Sequence, residues 1–235
     1  MEFKKLEAPS LKDLFIREIE YKILSGELEV GDQLPTEREL AEEMGVNRNI
    51  VRAGIAALVQ KGFLTVKPRV GAFVADYMQT GGVDVLLAMM NYNGGFPRRS
   101  EVRAAIELKI LFDTFAIRQM EGRVTAAQLD VLWKQLEQLR ACERPADAAS
   151  ACFTFFHTMS AYSGNTILPL IYGAFRPFTY TLFLRHIRRY GIKLTADFVE
   201  QLFVCLSDGR FEEAVRTLTA YYQRSIDGDL EIYEE

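Results

Sequence analysis

The sequence has very little of the residues that most often bind transition metals or carry redox chemistry. It holds two histidines, His157 and His186, and three cysteines, Cys142, Cys152 and Cys205, among 235 residues. The cysteines are odd in number and widely separated, and they form no C-x-x-C pair, so neither a zinc site nor a redox pair is indicated. We therefore expect buried free thiols and no cofactor.

The signatures of several common enzyme classes are missing too. The chain contains no glycine-rich phosphate-binding loop and no G-x-S-x-G nucleophile elbow. Two histidines also leave few options for the Ser–His or Cys–His pairs of nucleophilic catalysis. The sequence therefore predicts a protein that is not an enzyme.

Long apolar runs are absent as well. No stretch reaches the roughly 18 residues that a membrane-spanning helix needs. Residues 1–12 alternate charged and apolar side chains, without the apolar core of a secretory signal. We therefore expect a cytoplasmic protein with no membrane partner.

Acidic residues are missing from one long stretch, although the net charge of the chain is -4. No Asp or Glu occurs between Met44 and Ala75, where the cationic residues are Arg48, Arg52, Lys61, Lys67 and Arg69. A cationic segment within an acidic chain is typical of nucleic-acid binding. We predict that this segment meets a polyanion.

Three helices are indicated before and within this cationic stretch. Apolar residues at helical spacing run from Leu11 to Ile23 and predict an amphipathic first helix. Thr36 and Glu39 have the spacing of a capping box, which begins a short second helix. Asn47 can cap a third helix that begins at Arg48. Two short helices joined by about three residues including a glycine are typical of a helix-turn-helix.

The third helix and the ribbon after it carry the cationic residues. The second helix of a helix-turn-helix enters the major groove with its N-terminal residues, which here are Arg48, Asn49 and Arg52. Residues 63–66 and 72–74 read as two strands joined by a loop that holds Lys67 and Arg69. This ribbon is typical of a wing. Against the alternative that the arginines are merely solvated, the order of these features favours a winged helix-turn-helix that binds duplex DNA.

The N-terminal segment resembles the GntR family of bacterial transcription regulators. The resemblance lies in residues 33–41 (QLPTERELA), residues 45–52 (GVNRNIVR) and the wing residues 71–74 (GAFV). In that family, operator DNA is contacted by the positions that match Arg38, Arg48, Asn49, Arg52 and Gly71. Family members commonly carry Ser or Thr at the position of Asn49 and Glu at that of Ala53, so base preference there is open.

Beyond residue 82 the chain reads as helix throughout. The helical stretches are separated by Gly, Pro or Asn, and the longest, residues 168–190, contains Pro177 and should kink there. The predicted fold is mainly α. It has a winged helix-turn-helix at 1–76, a connector at 77–82 and a C-terminal all-α bundle of six or seven helices at 83–235.

This helical segment is similar to the effector domain of the FadR branch of the GntR family. The similarity lies in residues 156–157 (FH) followed by 163–165 (SGN), and in residues 207–214 (SDGRFEEA). One subgroup of that branch binds a divalent metal through one Asp and three His, and the metal holds a small carboxylate. Here Phe153, Val199 and Tyr221 occupy three of those positions and only His157 remains. The resemblance therefore implies no metal site.

The resemblance also implies a pocket for a small-molecule effector. A non-metal subgroup binds long-chain acyl-CoA, which releases it from DNA, and an apolar former metal pocket suits such a ligand. The predicted effector-binding residues are Arg103, Phe153, His157, Tyr180, Val199 and Tyr221. Three alternatives stay open: a small carboxylate effector, a helical domain that only dimerises, and, for Arg103, a simple surface pair with Glu107.

A homodimer is expected on geometric grounds. One helix-turn-helix contacts only a few base pairs, and two-fold pairing doubles these contacts across a palindromic site. The sequence therefore predicts a homodimeric regulator with two partners, a double-stranded DNA operator and a small-molecule effector.

Overall fold

The computed structural model describes residues 9–95 and 99–233, and at positions 90, 91 and 93–95 it describes the backbone only. The chain divides into two compact units between residues 96 and 97. The elements of the first unit are α1 (Leu11–Ser25), α2 (Glu37–Glu43), α3 (Arg48–Lys61), β1 (Leu64–Lys67), β2 (Gly71–Val74), α4 (Tyr77–Thr80) and α5 (Val83–Gly95).

The helix ends of the first unit follow from local hydrogen bonds. Thr36 Oγ1 accepts a bond from the Glu39 amide at 3.3 Å, and the Glu39 carboxylate accepts one from the Thr36 amide at 2.8 Å. This reciprocal pair satisfies two amides that have no partner within the helix. Asn47 Oδ1 accepts a bond from the Asn49 amide at 2.8 Å at the start of α3. Both predicted caps are confirmed.

The wing is an antiparallel ribbon that is tied to the helix-turn-helix. Strands β1 and β2 pair Leu64 with Val74 and Lys67 with Gly71. On the other edge of β2, the extended segment 31–34 exchanges backbone bonds with Ala72 and Val74 at 2.9 Å. The ribbon therefore has a fixed position relative to α2 and α3, which lie in the same core.

Helix α5 belongs to the first compact unit, one helix later than the predicted division at residues 77–82. Val85 is buried in the same core as α1 and α3, and the ring centroids of Tyr21 and Tyr92 lie 5.3 Å apart. This packing explains the difference, because sequence spacing does not tell which neighbour a helix packs against. The functional division at 76 and 83 stays a prediction.

The second unit is a helical bundle built around α8. Its elements are α6 (Arg99–Met120), α7 (Ala126–Arg140), α8 (Pro145–Tyr162), α9 (Leu168–Ala174), α10 (Arg176–Tyr190), α11 (Ile192–Ser207) and α12 (Phe211–Asp227). Helix α8 packs against α6, α7, α9 and α10, and α12 packs against α6 and α11. The side chains of Phe155, Phe156 and Met159 on α8 are each about 1% exposed. The predicted class, a winged helix-turn-helix followed by an all-α bundle, is confirmed.

The predicted kink near Pro177 is a complete break in the structure. Helix α9 ends at Ala174, Phe175 leaves the helical conformation, and α10 begins at Arg176. Proline has no backbone N–H and suits the first turn of a helix, where that donor has no partner. Pro177 therefore lies in the first turn of a new helix and does not bend an existing one.

Among the residues that the structure describes, no helix is long and apolar enough to cross a membrane.

Candidate DNA interface and effector pocket

The first turns of α3 present the predicted base-reading residues to solvent. Arg48, Asn49 and Arg52 are all exposed, while Val51 and Leu58 on the opposite face are fully buried. Amphipathic spacing therefore fixes which side of α3 faces outward. These three side chains are available to base edges in a major groove.

Two of the predicted DNA-binding arginines are held by glutamates of α2. Arg52 donates to the Glu37 carboxylate at 2.8 and 3.2 Å. This hydrogen bond and the charge of Glu37 raise the pKa of Arg52. Arg38 lies 3.5 Å from Glu42. Both ion pairs are exposed to solvent, so dissolved salt screens them and each contributes little to stability. They orient the guanidinium groups without removing them from solvent.

The wing carries the remaining predicted contacts. The Lys67 ammonium lies 4.4 Å from the centroid of the Phe73 ring, and Arg69 adopts a positive φ of 64° at the turn. Gly71 has φ of +145°, and a Cβ there would lie 2.8 Å from the Gln33 side-chain nitrogen. Gly71 thus allows the close approach of Gln33, and its role as a DNA contact stays a prediction.

In the second unit, a buried ionic network connects α6, α9 and α12. Lys109 is 7% and Asp113 is 2% exposed. The Lys109 ammonium donates to Asp113 at 2.8 Å and to the Tyr172 hydroxyl at 2.7 Å. The hydroxyls of Tyr172 and Tyr222 both donate to the Asp113 carboxylate. Burial lowers the pKa of Lys109, and the charge of Asp113 opposes that effect.

Aromatic rings enclose the same lysine. Its ammonium lies 4.1 Å from the centroid of Phe156 and 4.9 Å from that of Phe183. The faces of aromatic rings carry partial negative charge, so they stabilise a cation that has been removed from water. The surroundings of Lys109 are therefore both apolar and favourable to positive charge.

A small cavity of about 30 Å³ lies beside this lysine. Its wall is almost entirely apolar, and the residues that line it are Ile106, Lys109, Leu182, Phe183, His186, Thr195, Phe198, Tyr221, Tyr222, Ser225 and Ile232. Tyr221 stacks on Phe198 with ring centroids 3.7 Å apart, and its hydroxyl lies 2.7 Å from His186 Nε2. Burial lowers the pKa of His186 to about 4, and nearby Arg224 adds to that effect.

The predicted effector residues are only partly brought together. Tyr221 lines the cavity. Phe153 stacks on His157 with centroids 5.5 Å apart, and both rings contact Tyr172 from the side of α8. His157 Nε2 also lies 3.1 Å from the carbonyl oxygen of Pro169. This group therefore lies next to the ionic network and outside the lining of the cavity.

The other predicted effector residues lie elsewhere. Val199 is fully buried in the core and Tyr180 is half-buried, and neither is part of the cavity lining. Arg103 lies 3.8 Å from Glu107 and also forms an ion pair with Asp227 of α12. The surface pair that was the alternative for Arg103 is thus present. Effector binding by these three residues stays a prediction.

Lys109 was not among the site residues predicted from the sequence, although a signal for it was available. Lys109 and Asp113 are four residues apart and continue the buried stripe that includes Val102 and Ile106. A pair of opposite charges within an apolar stripe at helical spacing predicts a buried ion pair.

Within residues 9–95 and 99–233, no three His, Cys, Asp or Glu side chains cluster closely enough to share an ion. The one acidic residue of the network, Asp113, is already bonded to Lys109 and two tyrosines.

The first unit, with its ribbon and cationic α3, defines a winged helix-turn-helix DNA-binding protein that has a helical second unit. Residues 15–74 match the family model described as bacterial regulatory proteins, gntR family. Residues 15–74 are therefore a DNA-binding segment of the GntR type, and the chain is a DNA-binding transcription regulator.

Similar proteins extend the likeness over both units. The HTH-type transcriptional regulator Mce2R of Mycobacterium tuberculosis is 27% identical over 167 residues, which cover 71% of this chain and 69% of that protein. The fatty acid metabolism regulator protein of Enterobacter sp. (strain 638) is 27% identical over 220 residues, which cover 86% of this chain and 88% of that protein.

A solved structure shares the fold. The Listeria monocytogenes protein Lar, which controls the expression of the agr system and mediates virulence, superposes with a TM-score of 0.61 at 18% identity. The match covers 93% of this chain and 96% of that protein. At this identity the likeness supports the fold alone.

Proposed function

We propose that this regulator acts in the cytoplasm as a homodimer on a palindromic operator, and that an effector bound in the helical unit controls its affinity for DNA. The effector has an anionic head and a hydrocarbon part, as in a fatty acid or acyl-CoA. The observation that carries the proposal is the buried Lys109 side chain among the residues that line a largely apolar cavity.

The chemistry of the lining suits such a head group. An ammonium has three N–H donors, and Asp113 and Tyr172 accept from two of them in this structure. A ligand carboxylate that approaches Lys109 can accept from the third. Thr195 and Ser225 line the same cavity, and rotation of their side chains would offer further donors to the head group.

The hydrocarbon part requires the cavity to open. A volume of about 30 Å³ holds one or two water molecules, on the order of a tenth of an ordinary ligand pocket. Ile232, in the segment after α12, forms part of the wall. Displacement of Ile232 would enlarge the space. The name of the Enterobacter relative, a fatty acid metabolism regulator protein, supports this ligand class.

A small carboxylate is the second candidate, and the small volume of the cavity favours it. A short acid requires a smaller displacement of Ile232 than an acyl chain does. A ligand that binds only the folded state raises the melting temperature, so one titration distinguishes the two candidates.

The experiment measures melting temperature and operator affinity with palmitate and palmitoyl-CoA, and with succinate, citrate and free coenzyme A for comparison. We expect the acyl compounds to raise the melting temperature and change operator affinity. Stabilisation by succinate or citrate alone would select the second candidate. If no compound shifts either quantity, the effector part of the proposal fails and the DNA-binding assignment stands.

A further inference from the structure

Helix α6 has an apolar stripe on the face that points away from its own core. The stripe consists of Ala104, Leu108, Leu111 and Phe115, all exposed to solvent. The three large side chains are exposed by 44, 60 and 40%. The opposite face carries Val102 and the other buried residues of the helix. A helix that is apolar on two faces has a second surface to bury.

The spacing of this stripe has the form of a coiled-coil seam. Steps of four, three and four residues separate its members, and the same repeat continues to Glu101 before it and to Arg118 after it. The seam thus reads Glu, Ala, Leu, Leu, Phe, Arg from the N-terminal to the C-terminal end. Such a 3-4 repeat allows two helices to pack side by side along their length.

We propose that this face binds the same face of a second copy, with the two α6 helices antiparallel across a two-fold axis between Leu108 and Leu111. In this register Leu108 of each copy packs against Leu111 of the other. The small Ala104 lies opposite the large Phe115, which lets the two layers interdigitate. The seam is then complementary to itself, as a two-fold interface must be.

The charges at the ends of the seam favour a second copy in this direction. The antiparallel register places Glu101 of one copy beside Arg118 of the other, at both ends of the interface. A parallel arrangement would place Glu101 beside Glu101 and Arg118 beside Arg118, which is repulsive. Arg118 already bonds Glu212 at 2.9 Å, and its five N–H donors allow it to meet a second carboxylate.

This inference rests on the proposed homodimer and specifies its surface. The first test is Leu111→Glu, which places two carboxylates at the centre of the seam. Because Leu111 is largely exposed, the fold of the isolated chain tolerates the change. Val131→Glu on α7 is the matched control, since Val131 is also an exposed aliphatic residue that lies outside the seam.

Sedimentation velocity measures the outcome. We expect Leu111→Glu to raise the dissociation constant of the dimer by at least about a hundredfold, and Val131→Glu to leave it unchanged. A Leu111→Glu protein that remains as dimeric as the wild type would overturn this interface while the homodimer stands. A wild-type chain that is monomeric even when bound to operator would instead overturn the homodimer itself.

Two further variants test the direction of the helices. In a Cys142→Ser background, chains with Leu108→Cys are mixed with differently tagged chains that carry Leu111→Cys. Antiparallel packing predicts disulfides chiefly between the two kinds of chain, whereas parallel packing would link like to like. Separately, Glu101→Arg should weaken the dimer, and adding Arg118→Glu should restore it. Equal weakening by the single and double variants would contradict the charge pairing.

Discussion

At the scale of single residues, Lys109 is a buried charge that depends on several partners. Its removal from water is offset by Asp113, by the Tyr172 hydroxyl and by aromatic rings. Each partner depends on the others, because Asp113 would lose its counter-ion without the lysine. The network therefore behaves as one unit. Removing a single member should lower the free energy of unfolding more than replacing the whole ion pair by apolar residues.

The substitution Lys109→Met tests this dependence. It should lower the free energy of unfolding by about 3 to 5 kcal/mol, because it leaves the Asp113 carboxylate buried without its counter-ion. Adding Asp113→Leu should restore part of that loss. Urea denaturation of the two variants measures both steps. A double variant less stable than Lys109→Met alone would show that the carboxylate is stable without the lysine.

His186 makes stability depend on pH. Its pKa falls from the ordinary 6.5 to about 4 in the folded chain, so the unfolded state binds the proton more tightly. The stabilising contribution is complete above pH 6.5 and is lost as pH falls towards 4. It amounts to about 3 kcal/mol at most. We expect the stability difference between wild type and His186→Gln to shrink over this range. Parallel stability curves for the two proteins would contradict the assignment.

At the scale of elements, α2 and α3 act as a pair through Arg52 and Glu37. Arg52→Ala should weaken operator binding by about 1 to 3 kcal/mol because it removes a donor to a base edge. Since its side chain is 69% exposed, the melting temperature should hardly change. Glu37→Gln is the matched variant, and it should bind DNA at least as tightly because it frees Arg52 and removes a negative charge.

Fluorescence anisotropy with a labelled operator measures these affinities at one salt concentration. Wild-type affinity in Arg52→Ala would remove this residue from the interface. Weaker binding by Glu37→Gln would mean that the ion pair holds Arg52 in the geometry that DNA requires.

The wing should act through phosphate charge. Replacing Lys67 or Arg69 with Ala should weaken binding to all sequences alike, because contacts to phosphates carry no base information. Each loss should also reduce the slope of log affinity against log salt by about 0.9. Val66→Ala, at another exposed wing position, is the uncharged control. A slope equal to that of the wild type would contradict a phosphate contact.

The features that could be predicted well from the sequence depend on residues that are close together in the chain. Capping at Thr36 and Asn47 depends on a few neighbouring residues, so both helix starts could be predicted from the sequence alone. The packing of α5 depends on distant partners such as Tyr21, and spacing along the sequence does not reveal such partners. The cavity shows the same limit. Tyr221 was found through its position in a family pattern, whereas Lys109 joins Tyr172 only when α6 and α9 pack together.

At the scale of the whole molecule, the proposed function requires that two sites in different units influence each other. Such a coupling is a free energy, and it is reciprocal. If palmitoyl-CoA lowers operator affinity by a given factor, operator DNA must lower the affinity for palmitoyl-CoA by the same factor. The two measurements therefore test one quantity from opposite directions.

We expect this factor to lie between about 5 and 150, the usual range for coupled sites. Operator affinity is measured by anisotropy at zero and saturating palmitoyl-CoA, and palmitoyl-CoA affinity by calorimetry with and without operator. The double variant Lys109→Met with Asp113→Leu is the control, because it removes the cation beside the cavity without leaving the Asp113 carboxylate buried and unpaired. It should leave DNA affinity intact and abolish the coupling. A double variant that still responds to palmitoyl-CoA would place the effector elsewhere. An acyl-CoA that binds the wild type with no change in operator affinity would mean that the cavity holds a ligand without controlling DNA binding.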